Sequence, residues 1–160
     1  MNDELKARSL IFIIHHSAFI IFLMPFTTRI NVRFGDCDPA GLVYYPTLFH
    51  YCHVAMEEFF AARCGVEYAR LVSAERLGFP TVNARAEFFE PFVYGDAAEI
   101  DVWVSRVGRT SVTFEYRLRR AADGRPCASA TLVQVCTNLD ERRAVPVPEH
   151  LRPAFESGAE

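Results

Sequence analysis

A chain of 160 residues, 51% hydrophobic and 23% charged, suits one globular domain with a full core and is short for two. Its formal net charge of -3 comes without a basic stripe, which argues against nucleic acid as a partner, and is too small for an acidic tail or a disordered chain. Five cysteines, Cys37, Cys52, Cys64, Cys127 and Cys136, form no C-x-x-C and sit in apolar segments, so they read as free thiols in a reducing, cytoplasmic setting, with no disulfide framework, zinc site or other metal centre.

Residues 1–25 differ in character from the rest of the chain. A charged lead, NDELKAR, precedes LIFIIHHSAFIIFLM (Leu10–Met24), which is apolar apart from His15, His16 and Ser17. The run has no A-x-A-like cleavage site. As a membrane span it falls short of the roughly 20 apolar residues a bilayer needs, and two histidines stand at its middle. It reads as an extension outside the fold, with Met24 as the natural start and the folded domain over 26–160. A membrane role would require residues 10–24 to be an anchor.

From Phe26 to Phe34 apolar Ile30, Val32 and Phe34 alternate with Asn31 and Arg33, which predicts a strand. GDCDPAG follows as a turn. From Thr47 the period becomes three and four: Leu48, Cys52, Ala55, Phe59 and Ala62 predict a helix of about five turns. Pro46 suits its first turn and Gly65 its end. Its wide apolar arc predicts an enclosed helix. Residues 66–80 hold a second amphipathic piece.

Strands return at Val82–Phe88, Ile100–Val104 and Val112–Leu118, each alternating in period two. Asp123-Gly124 is a hairpin turn. Cys127–Thr137 is apolar on nearly both faces, which predicts a central strand. VPVPEHLRPAF closes the chain with one short helix. This order predicts an α+β fold, an antiparallel five-stranded sheet wrapped around one long central helix. Open sheet edges and an open outer face predict a homo-oligomer.

The chemistry concentrates in FGDCDPAGLVYYP, Phe34 to Pro46. Asp36 and Asp38 flank Cys37 in a turn; Pro39 holds Asp38 extended and Gly41 permits the reversal. The helix start just beyond offers unpaired N–H groups and a positive dipole. A carboxylate beside it is a candidate nucleophile or general base, and the amides are candidate polarisers of a carbonyl, which together suit acyl transfer to water. Asp and Gly are also ordinary turn and cap residues, so the pattern alone leaves both readings open.

The same stretch resembles the signature of the 4-hydroxybenzoyl-CoA thioesterase family of the hotdog fold: strand, D-x-D-x-x-G, apolar residues, aromatic-Pro, long helix. The resemblance runs from about Thr27 to the C-terminal tail. It implies a metal-free and cofactor-free acyl-CoA thioesterase, coenzyme A being part of the substrate, assembled as a homodimer or homotetramer with its site between subunits. By position it implies Asp38 as the catalytic carboxylate, the Tyr45 backbone N–H as carbonyl polariser and Asp36 as a structural residue. It also implies phosphate-binding basic residues after the third strand, where RVGRTS offers Arg106 and Arg109. Phe49, His53, Phe79 and Phe88 are candidate acyl-pocket residues, each of which also reads as core. Tol–Pal-associated relatives usually carry His where this chain has Tyr45; Tyr is a poor base near neutral pH.

Two other functions suit the same fold: a non-catalytic acyl-CoA binder, and a thioesterase acting on acyl carrier protein. A dehydratase needs a catalytic histidine that nothing in this sequence forces into place.

Overall fold

A computed structural model describes residues 24–157; the expected N-terminal extension over residues 1–23 lies outside the described residues. Strand β1 spans Phe26–Asn31 and pairs antiparallel with β4, Ala97–Val107. It stops three residues before the sequence pattern suggests. Asp36 causes the stop: its Oδ2 accepts the Arg33 N–H at 2.7 Å, and its own N–H donates to the Arg33 carbonyl at 3.1 Å. That closes a single 3-10 turn over Phe34–Asp36 and turns Phe34 outward, 82% exposed.

Helix α1, Tyr45–Phe59, begins two residues earlier than Thr47, with Tyr44 as its N-cap and Pro46 in the first turn. Leu48, Tyr51, Cys52, Ala55, Met56 and Phe59 are buried, the three-and-four spacing of an inward stripe. The helix runs on through a π-helical turn, Phe60–Cys64, and ends at Gly65, whose φ of 67° satisfies a left-handed cap. The second amphipathic piece is shorter than expected: α2 covers only Tyr68–Ser73.

The main sheet also contains β3 (Thr81–Phe88), β5 (Ser111–Arg120) and β6 (Pro126–Val135), in the order β1-β4-β5-β6-β3, with every neighbour antiparallel. Thus β6 is an internal strand, as its two apolar faces suggest, but the middle of the sheet is β5. The inner faces of β4, β5 and β6 present Ile100, Val102, Phe114, Tyr116, Ala130 and Leu132 to the buried stripe of α1. Burying such faces supplies most of the drive to fold, at about 25 cal/mol per Å² of apolar surface.

A second sheet, order β2-β7-β8, joins Leu77–Gly78, Thr137–Asn138 and Arg143–Ala144. The sequence carries no sign of it, because two-residue strands show no period. A short helix α3, Arg152–Glu156, seals the far end of the core: Phe155 packs on Phe60 at 5.5 Å and on Phe79 at 6.1 Å. Among the described residues no helix is long and apolar enough to cross a membrane.

Candidate active site

The two aspartates of the turn have different partners. Asp36 is tied down: besides the Arg33 amide, its Oδ2 accepts the Tyr51 hydroxyl at 2.7 Å, and its carbonyl accepts the Tyr44 N–H at 2.9 Å. Tyr51 is buried in α1, and burial first, then the bond to Asp36, pushes its hydroxyl above the usual tyrosine range. Asp36 thereby fastens the turn to the helix that succeeds it.

Asp38 is half-buried and holds a tight loop. Its N–H donates to the Leu42 carbonyl at 2.8 Å and its carbonyl accepts the Gly41 N–H at 2.9 Å, with Gly41 at φ 80°. One carboxylate oxygen, Oδ1, accepts the Ala40 N–H at 2.9 Å and the Leu42 N–H at 3.4 Å. Among the described residues Oδ2 accepts nothing. The carboxylate is therefore oriented through one oxygen and available through the other.

The loop leads straight into α1. Cys37 bridges Val43, and the Thr47 N–H is closed by the Tyr44 carbonyl at 2.8 Å. Among the described residues the Tyr45 N–H, first in the helix, meets no acceptor, and no side chain caps this end. An oriented carboxylate and an unpaired amide at the positive end of a 15-residue helix are thus carried by one short loop. The first can attack a carbonyl carbon or take a proton from water; the second can hold the oxygen on which negative charge develops.

A pocket of about 40 Å³ adjoins the helix start, lined by Tyr45, Leu48, Phe88, Glu90, Phe92 and Cys127 among others. A single chain thus brings Tyr45 and Phe88 together. The volume is far below the several hundred Å³ of ligand-sized sites. Phe49 is half-buried against the core, one position outside this lining. His53 lies further along α1, its Nε2 3.1 Å from Glu57 and its ring 5.8 Å from Tyr68. Phe79 is a correction: it is 1% exposed, wedged between Phe60 and Phe155, and packs the core rather than lining a pocket.

Arg106 and Arg109 are exposed at the β4–β5 hairpin. The Asp38 turn lies at the opposite end of β4, where the Val32 N–H meets the Asp96 carbonyl. At about 3.3 Å per residue the strand sets them roughly 30 Å apart, so one chain does not bring these arginines to Asp38. Sequence reasoning also passed over Tyr51, which reads as one more core residue of α1. The available signal was its hydroxyl, since a buried tyrosine needs a hydrogen-bond partner. Among the described residues no group of His, Cys, Asp and Glu is placed to hold a metal ion.

The profile of the thioesterase-like superfamily matches residues 32–155, which spans the Asp38 turn, α1 and four of the five strands of the main sheet, all but β1. The chain belongs to the thioesterase-like superfamily. It is 34% identical over 122 residues to a 1,4-dihydroxy-2-naphthoyl-CoA hydrolase of Synechococcus elongatus, covering 76% of this chain and 88% of that one. Among solved structures it resembles the 1,4-dihydroxy-2-naphthoyl-CoA thioesterase of Synechocystis, with TM-score 0.74 and 26% identity, over 81% of this chain and 94% of that one. A gentisyl-coenzyme A thioesterase gives TM-score 0.73 and 27% identity, over 79% and 99%. The hotdog fold and the thioester-hydrolase class expected from the motif agree with this membership. The resemblance to 4-hydroxybenzoyl-CoA thioesterases holds at the level of the superfamily, since these relatives are named for other aromatic acyl groups.

Proposed function

We propose that this thioesterase-like chain hydrolyses aromatic acyl-CoA thioesters to the free acid and CoA, with Asp38 as its catalytic carboxylate. The observation that carries the residue assignment is the division of labour in the turn. Asp36 is bonded to the Tyr51 hydroxyl of α1, whereas among the described residues Asp38 is bonded only through Oδ1 to amides of its own loop, which ends at a Tyr45 N–H that meets no acceptor. An Oδ2 electron pair adds to the thioester carbonyl carbon, or deprotonates a water that does so. The carbonyl oxygen takes up charge against the Tyr45 N–H. The C–S bond then breaks, and the sulfur leaves as CoA thiolate and is protonated; where Asp38 itself has added, water cleaves the resulting Asp38–acyl anhydride, releasing the acid and restoring the carboxylate. The reaction needs no metal or added cofactor.

The substrate class rests on the relatives, whose names carry hydroxylated aromatic acyl groups. The site is completed by a second copy of the chain, in a homodimer or homotetramer. Two observations support this: the pocket beside Tyr45 is too small alone, and β3 is an edge strand exposed along nearly its whole length. An oligomer also accounts for Arg106 and Arg109, which would reach CoA phosphates only at another subunit's site. Five unpaired cysteines fit a cytoplasmic setting.

Free-thiol release over a panel of CoA esters, from acetyl to long-chain and including benzoyl, 4-hydroxybenzoyl, gentisyl and 1,4-dihydroxy-2-naphthoyl, tests the reading. We expect the hydroxylated aromatic esters to lead. Asp38→Asn should keep the fold and oligomer and lower kcat by about 100-fold or more. Binding of the esters without hydrolysis, or full activity in Asp38→Asn, overturns the proposal.

A further inference from the structure

We propose that Arg120 is a positioning residue for the Asp38 turn, acting through the segment Glu90–Asp96; its effect on turnover rests on the thioesterase function proposed for the chain. The turn leans on that segment. Leu42 bridges Val93, the Val43 N–H donates to the Phe92 carbonyl at 2.9 Å, and the Val32 N–H donates to the Asp96 carbonyl at 2.9 Å. The segment links β3 to β4 and has few bonds of its own. Asp96 closes it, accepting the Val93 N–H on Oδ2 at 3.0 Å and donating its own N–H to the Val93 carbonyl at 3.1 Å.

Arg120, last residue of β5, grips the segment at both ends. Its Nη2 donates to the Pro91 carbonyl at 3.0 Å and its Nε to Asp96 Oδ2 at 3.3 Å. Its Nη1 lies 3.2 Å from Asp123 Oδ2 and 3.6 Å from Glu90 Oε2. The Arg120 and Asp96 side chains are only 18% and 17% exposed, so solvent screens the pair weakly. Three nitrogens of one planar group thus reach four residues, a pattern that a lysine ammonium on a flexible stem does not reproduce. Arg119, the adjacent residue, contacts a different pair of carboxylates, Asp101 at 3.1 Å and Glu99 at 3.8 Å, and touches nothing in the segment. It is a natural control of the same charge on the neighbouring position, though its side chain is more exposed, 33% against 18%.

Arg120→Lys and Arg119→Lys are compared by amide hydrogen exchange and by kinetics on the best CoA ester. In Arg120→Lys the Leu42, Val43 and Tyr44 amides should exchange about 10-fold faster. Its kcat should fall about 10-fold or more with KM within about 3-fold, because a misplaced turn costs rate more than ground-state binding. Arg119→Lys should match the parent in both readouts. Asp96→Asn keeps an acceptor for the Val93 amide and should show the same changes more weakly; it carries the comparison if Arg120→Lys does not fold. Unchanged exchange, changes shared with Arg119→Lys, or faster exchange with an unchanged kcat overturns the proposal. If the parent hydrolyses no CoA ester, the thioesterase reading fails, and the exchange data alone decide whether Arg120 holds the turn.

Discussion

Asp36 and Asp38 offer the same carboxylate two positions apart, and only their neighbours separate them. Each accepts two bonds on one oxygen and, among the described residues, none on the other. They differ in partner, since Asp36 holds the buried Tyr51 hydroxyl of α1 as well as the Arg33 amide, whereas Asp38 holds only amides of its own loop. Tyr51→Phe tests the structural role of the first. It removes a hydrogen bond to a carboxylate and should lower stability by about 1–2 kcal/mol in urea titration, with a smaller loss of kcat than Asp38→Asn gives. The folded-state pKa of Tyr51 lies above its unfolded value, so its contribution is complete below about pH 10 and lost as pH rises beyond. The phenylalanine variant should therefore lose less stability than the parent between about pH 10 and 11. A parallel alkaline decline in the two proteins would contradict this account.

The turn over residues 36–44 is an element in its own right, built almost wholly from backbone bonds between its two arms. Gly41 is its pivot. A Cβ there would meet no atom within 4 Å, so the cost of Gly41→Ala is conformational: a φ of 80° that an alanine resists. We expect about 1 kcal/mol of lost stability and a lowered kcat at near-constant KM. An alanine variant as stable and active as the parent would show that the turn tolerates another geometry. Regular elements of this size were legible in the sequence where burial is one-sided. In β5, inward Val112, Phe114, Tyr116 and Leu118 are all buried. The end of β1 was not legible, because Val32 and Phe34 continue the alternation while Asp36 bends the chain away. Nor was α2, whose pattern runs on to Pro80 although its helix stops at Ser73.

For the molecule as a whole, the edge of the sheet matters most. In β3, Val82 is 62% exposed and Phe88 55%, and Phe89 just beyond it is 56% exposed. An exposed apolar edge strand invites pairing with another copy. The double substitution Val82→Lys with Ala84→Lys puts like charges on that edge at positions the single chain leaves open to solvent. It should shift the protein to monomer mass in light scattering, keep its circular dichroism, and abolish most hydrolysis. A parent that is already monomeric and active would end the shared-site reading.

The sequence by itself determined the α+β class, the enclosed long helix, the alternating strands and the turn that carries Asp38. These arise from local periodicity and from turn chemistry within a dozen residues. Only the tertiary structure decided which aspartate is tied, that Phe79 fills the core, that Arg106 and Arg109 stand at the far end of the sheet, and that Arg120 grips the segment behind the turn. Those outcomes depend on contacts between residues far apart in the chain, such as Tyr51 with Asp36 and Arg120 with Pro91 and Asp96. The spacing of residues along one chain contains no record of such contacts until the sheet and helix are packed.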